Sequence, residues 1–180
     1  ILVVLQFTVS ITLIIGTIVV FRQIQYAMNR PMGYDNDGII SSNLKSDGIK
    51  KHYLAFREDL LKTGVVVESS LSDTPITSTF VTNSGFNWGG KDPNMTEEFV
   101  TLRVSHEFGN MVNWKIKEGR DFSRDIISDS TAIILNESAV AYTGLKNPIG
   151  EIVGWGGHTK CKIIGVVEDL ITQSPFAPVK

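Results

Sequence analysis

Residues 1–21 read ILVVLQFTVSITLIIGTIVVF, and none of them is charged. At ~1.5 Å rise per residue a helix of this length spans about 31 Å, the thickness of a bilayer's hydrocarbon core. Its polar members Gln6, Thr8, Ser10, Thr12 and Thr17 suit lipid, because hydroxyls can bond back to carbonyls of their own helix. Thr8, Thr12 and Gly16 recur every fourth residue, a small-residue stripe of the kind along which membrane helices approach one another. A secretory leader would show a basic start, a shorter apolar core and a small-x-small cleavage site. Here the run continues as Arg22-Gln-Ile-Gln-Tyr, an amphipathic extension to about residue 30. A soluble core helix seldom runs this far without a charge. The reading is a membrane-spanning helix. The chain opens without Met, as a piece of a longer protein would, and has no charges on its N-terminal side from which orientation could be read.

Outward from this helix, Pro31 and Gly33 end the extension and form a candidate hinge. Residues 38–44 (GIISSNL) read as a strand. Ser46 and Asp47 then cap a helix over about 49–63, with Ile49, Tyr53, Phe56, Leu60 and Leu61 on one face and Gly64 as its stop. The β-branched stretch 65–71 reads as a second strand, giving a β–α–β unit with a right-handed crossover. Residues 74–96 are rich in Thr, Ser, Asn, Gly and Pro, which predicts loop and hairpin. Trp88-Gly-Gly and Gly154-Trp-Gly-Gly are the expected hairpin tips. Residues 99–104 alternate as a strand, 105–111 suggest a turn or short helix, and 114–118 suggest a strand closed by Gly119. Residues 130–135 are β-prone; Asn136 then caps a helix through Tyr142 that stops at Gly144. Pro148-Ile-Gly150 is a turn, and 160–167 (KCKIIGVV) is the last clear strand. The class is α+β, strand-dominated, with two helices beyond the membrane span.

Composition narrows the function. With 180 residues, 42% hydrophobic and 20% charged, the chain makes one ordinary domain, and wholesale disorder is excluded. A net charge of -2 and a pI near 5.9 argue against a nucleic-acid partner. A single cysteine excludes a disulfide scaffold and a multi-cysteine zinc site. His52, His106 and His158 share no ligand spacing, and His106-Glu107 are sequence neighbours that seldom face one another. Cys161 lies between Lys160 and Lys162, but on a strand those lysines point to the opposite face, so a buried core thiol is expected. Neither Gly-rich piece leads into a helix or carries the Lys-Ser/Thr of a phosphate loop. No catalytic residue, metal or cofactor is expected. A tethered α+β domain without such chemistry binds, senses or transmits.

Several stretches occur in an order that carries a resemblance: LQFTVSITLIIGTIVVFRQIQY followed by PMGYD, then WKIKEGRDFSRD, ILNESAVAYTGLKNPIGEIVGW and IIGVVEDLITQSPFAPVK. Together they resemble the FtsX/MacB-like permeases of ABC transporters, of Bacteroidetes type. The motif positions are Gly119, Arg120, Asp121 and Phe122, then Asn136 and Glu137, then Pro148 and Gly150, and Gly165. The resemblance implies a transmembrane helix with its extension (1–30) and a periplasmic core domain (31–180). Within that domain it implies porter-like β–α–β parts at about 35–73 and 161–180, an inserted strand-rich lobe at about 74–160, and truncation before a second β–α–β unit. It also implies a non-catalytic role that transmits ATP-driven movement for export, extrusion or envelope maintenance. ATP hydrolysis would belong to a separate cytoplasmic ATPase subunit. Other permease helices, a second permease copy, and a periplasmic or outer-membrane protein are the implied partners. The implied location is the bacterial inner membrane, with residues after about 30 in the periplasm. The alternative is an extracytoplasmic ligand-sensing domain of a membrane receptor, which calls for a pocket with convergent polar groups.

Overall fold

A computed structural model describes residues 1–29, 31–77, 81–96 and 98–171. Helix α1 (Leu2–Asn29) is unbroken and buries none of its residues; it is long and apolar enough to cross a membrane. Thr8, Thr12 and Thr17 donate their hydroxyls to the carbonyls four residues back, at 2.9, 2.8 and 2.8 Å. These three hydroxyls are thus satisfied inside the helix.

The helix expected at 49–63 forms as α2 (Asp47–Lys51) and α3 (Tyr53–Lys62), joined at His52. Tyr53 is its buried residue and donates to the Ser69 carbonyl at 2.6 Å. Arg57 grips Glu68 through two hydrogen bonds of 2.7 and 2.6 Å, tying α3 to the segment that follows it. The strands expected on either side, at 38–44 and 65–71, are not formed. Ile40, Val65 and Val67 are 93%, 86% and 94% exposed. Branched side chains favour an extended backbone but supply no neighbour to pair with, and strand preference is largely packing against such a neighbour. Pairing begins only where Ser72 bridges Val104, flanked by Ser105 N to Leu71 O at 2.8 Å and Asp73 N to Arg103 O at 3.0 Å. The β–α–β unit is therefore a helix with two extended, unpaired arms.

The remainder is built from β1 (Val81–Asn83), β2 (Phe86–Asn87), β3 (Phe99–Thr101), α4 (Phe108–Val112), β4 (Ile116–Gly119), a 3₁₀ turn (Ile127–Thr131), β5 (Ala132–Asn136), α5 (Glu137–Thr143), β6 (Ile152–Trp155) and β7 (Thr159–Val167). Strands β1 and β3 pair as a separate antiparallel ribbon. The main sheet runs β2-β6-β7-β4, with β5 also on β7. Strand β7 pairs antiparallel with β6 and β4 and parallel with β5. Its apolar run 163–167 is buried throughout, as expected of a strand with neighbours on both sides. Strand β6 falls where the sequence suggests only a hairpin tip; the tip itself is Gly156-Gly157, both with positive φ. The class is α+β, as expected.

Two apolar clusters form the interior. One gathers Tyr34, Ile76, Phe108 and Val112, with Leu170 against it. The other gathers Phe86, Trp88, Val153 and Ile163. Both hairpin tryptophans fold back: Trp88 is 6% exposed and donates to the Thr143 carbonyl at 3.1 Å, while Trp155 stacks on Phe86 with centroids 5.3 Å apart.

Helix α5 follows its local signals. The Asn136 side chain accepts from Ala139 N at 3.0 Å, and Gly144 ends the helix with φ 70. Replacing Asn136 by Ala is expected to cost about 1 kcal/mol and to lower the thermal midpoint by about 2–4 °C. Asn136→Asp keeps the acceptor and should melt with the parent. Thermal circular dichroism of the three proteins checks this.

Candidate functional site

The point where the chain leaves α1 and reaches the domain is held on several sides. Met32 O accepts from Ile171 N at 2.9 Å, and Asp35 N donates to Val112 O at 2.7 Å. Asn113 Nδ2 donates to Asp35 Oδ2 at 3.2 Å. Tyr34 is 9% exposed, inside the first cluster; burial raises its phenol pKa. Gly33 has φ 80, and a Cβ there would lie 2.3 Å from the Asp169 carbonyl oxygen. Glycine is required here twice over, for its left-handed backbone and for this close approach.

Asp169 links this joint to the sheet. Its carboxylate accepts from Ser138 N at 2.9 Å and Ser138 Oγ at 2.6 Å, satisfying one of the free amides in the first turn of α5. Glu137, exposed beside it, lies 4.0 Å from Lys117, which also pairs with Glu168 at 3.2 Å. A negative charge in the first turn suits the helix dipole.

Residues 119–122 form a second fixed assembly. Gly119 (φ 74) and Gly165 sit where β4 crosses β7: a Cβ on Gly119 would lie 2.2 Å from Ile164 O, and one on Gly165 would lie 2.3 Å from Arg120 O. Arg120 donates through both terminal nitrogens to Asp129, at 2.6 and 2.7 Å, and Ser123 N donates to the same carboxylate at 2.8 Å. The Arg120 guanidinium bonded to Asp129 holds that carboxyl below its usual pKa. Asp121 accepts from Trp114 Nε1 at 2.9 Å and from Phe122 N at 2.7 Å. Burial outweighs these bonds and raises its pKa. The Trp114 ring packs between Phe108 and Phe122, at 5.7 and 6.5 Å.

At the turn after α5, Pro148 is buried and its carbonyl accepts from Glu151 N at 3.1 Å; Gly150, with φ 92, donates to Ile163 O at 2.8 Å. Gly119, Arg120, Asp121, Asn136, Pro148, Gly150 and Gly165 thus take part in connections of the sheet. His52 and His158 are exposed and His106 is half-buried. Buried Glu107 turns to Arg124, an exposed residue whose Nε and Nη2 donate to its Oε1 at 2.8 and 2.5 Å, a pair that no sequence signal announces. Burial alone would raise the Glu107 pKa, but the Arg124 guanidinium and other bonds bring it below the usual value. Cys161 is buried, and burial pushes its thiol up. Among the described residues, no group of three or more His, Cys, Asp or Glu is placed to hold a metal ion. Residues 172–180, the end of the IIGVVEDLITQSPFAPVK stretch, lie outside the described residues.

The chain thus combines a helix long and apolar enough to cross a membrane with an α+β domain. The chain matches the MacB-like periplasmic core domain over residues 1–178 and belongs to that family, the periplasmic domains of FtsX/MacB-like permeases. Among solved structures it is similar to the periplasmic region of MacB from Actinobacillus actinomycetemcomitans, with 20% identity over 73% of this chain and 60% of that one and a TM-score of 0.46. It is also similar to a domain of a putative permease protein from Porphyromonas gingivalis, with 23% identity over 58% of this chain and 45% of that one and a TM-score of 0.42. The chain spans less than two thirds of either. No curated protein matches it.

Proposed function

We propose that this domain is a non-catalytic lever in a permease subunit, carrying ATP-driven movement of α1 to partners in the periplasm. A separate cytoplasmic ATPase supplies the energy, α1 lies in the inner membrane beside other permease helices or a second copy, and residues after 30 are periplasmic. Export, extrusion and envelope maintenance share this mechanics. The observation that carries the reading is the joint at 31–35. Bonds from Val112 and Ile171 and the contact of Gly33 with Asp169 fix the chain after α1 to both α4 and the end of β7. A connection pinned on several sides transmits a rigid-body rotation; a loose one dissipates it. Pro31 and Gly33 then act as a fixed elbow.

Within the lever, 35–73 and 161–180 make the part near α1, and 74–160 the inserted lobe. The two apolar clusters bridge these parts: Ile76, Phe108 and Val112 of the lobe pack with Tyr34, Ile163 packs with Phe86, Trp88 and Val153 of the lobe, and β7 pairs with lobe strands.

The test uses the intact permease with its ATPase in proteoliposomes. A spin label at Glu151→Cys, in a Cys161→Ala background, reports the height of the domain above the bilayer through the nucleotide cycle. The parent should show an ATP-dependent displacement. A flexible Gly-Ser run inserted between residues 30 and 31 should abolish it while ATP hydrolysis continues. His52→Ala, His106→Ala and His158→Ala should leave it unchanged. An insertion that preserves the displacement, or a folded histidine variant that loses it, refutes the lever.

A further inference from the structure

The segment 99–105 and strand β5 (Ala132–Asn136) are not paired with one another. Between them, and beneath α2 and the start of α3, runs a cleft of about 1050 Å³, at the upper end of small-molecule sites. Its walls include Val100 and Leu102 on one side, Ile134 on the other and Val153 at the base. Strand β5, whose residues form one wall, is half-buried along its whole length, because its pairing is to β7 and its cleft side is uncovered.

The charged residues at this cleft are strongly one-sided. Lys50, Lys51 and Arg103 line it and are exposed. The Arg103 guanidinium is held 5.2 Å over the Trp155 ring, another lining residue. Arg124, also on the lining, is committed to Glu107. Among the described residues the lining carboxylate is Asp129, whose charge is already met by Arg120. Lys50 is met by Asp47 at 3.9 Å, which leaves Lys51 and Arg103 as the cations edging an apolar slot in a chain of net charge -2.

We propose that this cleft binds a single-chain amphiphile with an anionic head, its acyl chain between Leu102 and Ile134 and its head at Lys51 and Arg103. The apolar walls supply affinity that grows with each methylene buried. The cations select the head, since a neutral head gains nothing from them and leaves their field unanswered. An extended peptide added to the free edge of β5 would use backbone hydrogen bonds instead and would have no need of the basic rim. This binding does not depend on the lever: it requires the domain alone, without ATP, so either can fail while the other stands.

Trp114 and Trp155 both line the cleft, so a bromine-labelled ligand can be followed by quenching of tryptophan fluorescence. The chain is placed in nanodiscs of zwitterionic lipid and titrated with brominated hexadecanoate, and separately with the brominated alcohol of the same length. Saturable quenching is expected with the carboxylate, and at least about tenfold weaker binding with the alcohol. The double variant Lys51→Glu/Arg103→Glu should lose about tenfold for the carboxylate and nothing for the alcohol. Ile134→Trp should abolish both by filling the slot, with Leu102→Phe as the alternative if the first does not fold by circular dichroism. Equal affinity for alcohol and carboxylate, unsaturable quenching, or a double variant that binds carboxylate like the parent overturns the proposal.

Discussion

Gly109→Ala is expected to destabilise the domain by about 3 kcal/mol and to lower its thermal midpoint by about 6–12 °C. By intrinsic preference the change should help, because alanine is favoured over glycine in a helix by about 1 kcal/mol. The surroundings decide otherwise. A Cβ at Gly109 would stand 1.9 Å from Asp121 Oδ2, 2.3 Å from Trp114 Nε1 and 2.5 Å from Trp114 Cε2. Those two side chains are bonded to each other at 2.9 Å, and Phe108 and Phe122 bracket the indole, so neither can swing away cheaply. Moving Asp121 would strand a half-buried carboxyl and a buried indole N–H. Gly89 is the control: it meets nothing within 4 Å and has no unusual φ, so Gly89→Ala should melt with the parent. A Gly109→Ala protein melting within about 2 °C of the parent, on the same scale, would show that the Trp114–Asp121 contact is not as described.

Asp129→Ala should cost about 2–3 kcal/mol. Its side chain is fully buried and takes both prongs of Arg120. Breaking a buried pair commonly costs about 3–5 kcal/mol, but the Arg120 side chain is 42% exposed and can return to water, which reduces the loss. Arg120→Lys should recover little, because a point charge cannot reproduce the fork. The same pair sets an acid dependence. The Asp129 pKa is lowered in the folded protein by Arg120. Its contribution is therefore complete above the unfolded value, about 3.9, and disappears as pH falls through the lower folded value, where the unfolded chain gains the proton first. Asp121 acts in the opposite sense. Burial raises its pKa, so its contribution is complete below about pH 3.9 and is lost as pH rises through the folded value. Denaturant midpoints measured from pH 2 to 7 should show a flatter acid limb for Asp129→Ala than for the parent. An unchanged limb would mean that Arg120 does not hold the charge.

How much was readable depended on how local the cause was. Helix α1 follows from an uncharged run, α5 from Asn136 and Gly144, and β7 from an apolar stretch between turns; each signal lies within the element it forms. The arms at 38–44 and 65–71 have the same β-branched composition but no partner strand, and composition carries no information about partners. Strand β6 was hidden because Gly154 and Trp155 resemble a turn, whereas both pair across to β7 and β2. At the candidate site, Pro31 and Gly33 are visible as a break, and Gly119 to Phe122 as a motif. What closes them is not visible: Asp169 reaches Gly33 from the far end of the chain, and Asp129 reaches Arg120 across a turn. The basic-edged cleft was least readable, since its walls come from segments whose proximity only the finished sheet creates.

The position of β7 governs how the domain can be made. Strands β4, β5 and β6 all wait for it, and it follows every other strand among the described residues. Roughly 80 residues separate β2 from the end of β7, which at ~5–20 residues per second of synthesis is about 4–16 s. During that interval the earlier strands emerge next to a lipid surface with their hydrogen-bonding edges bare, and pairing across such a sequence distance is intrinsically slow. A nascent chain stalled before residue 159 should therefore be far more sensitive to protease than one released past residue 167.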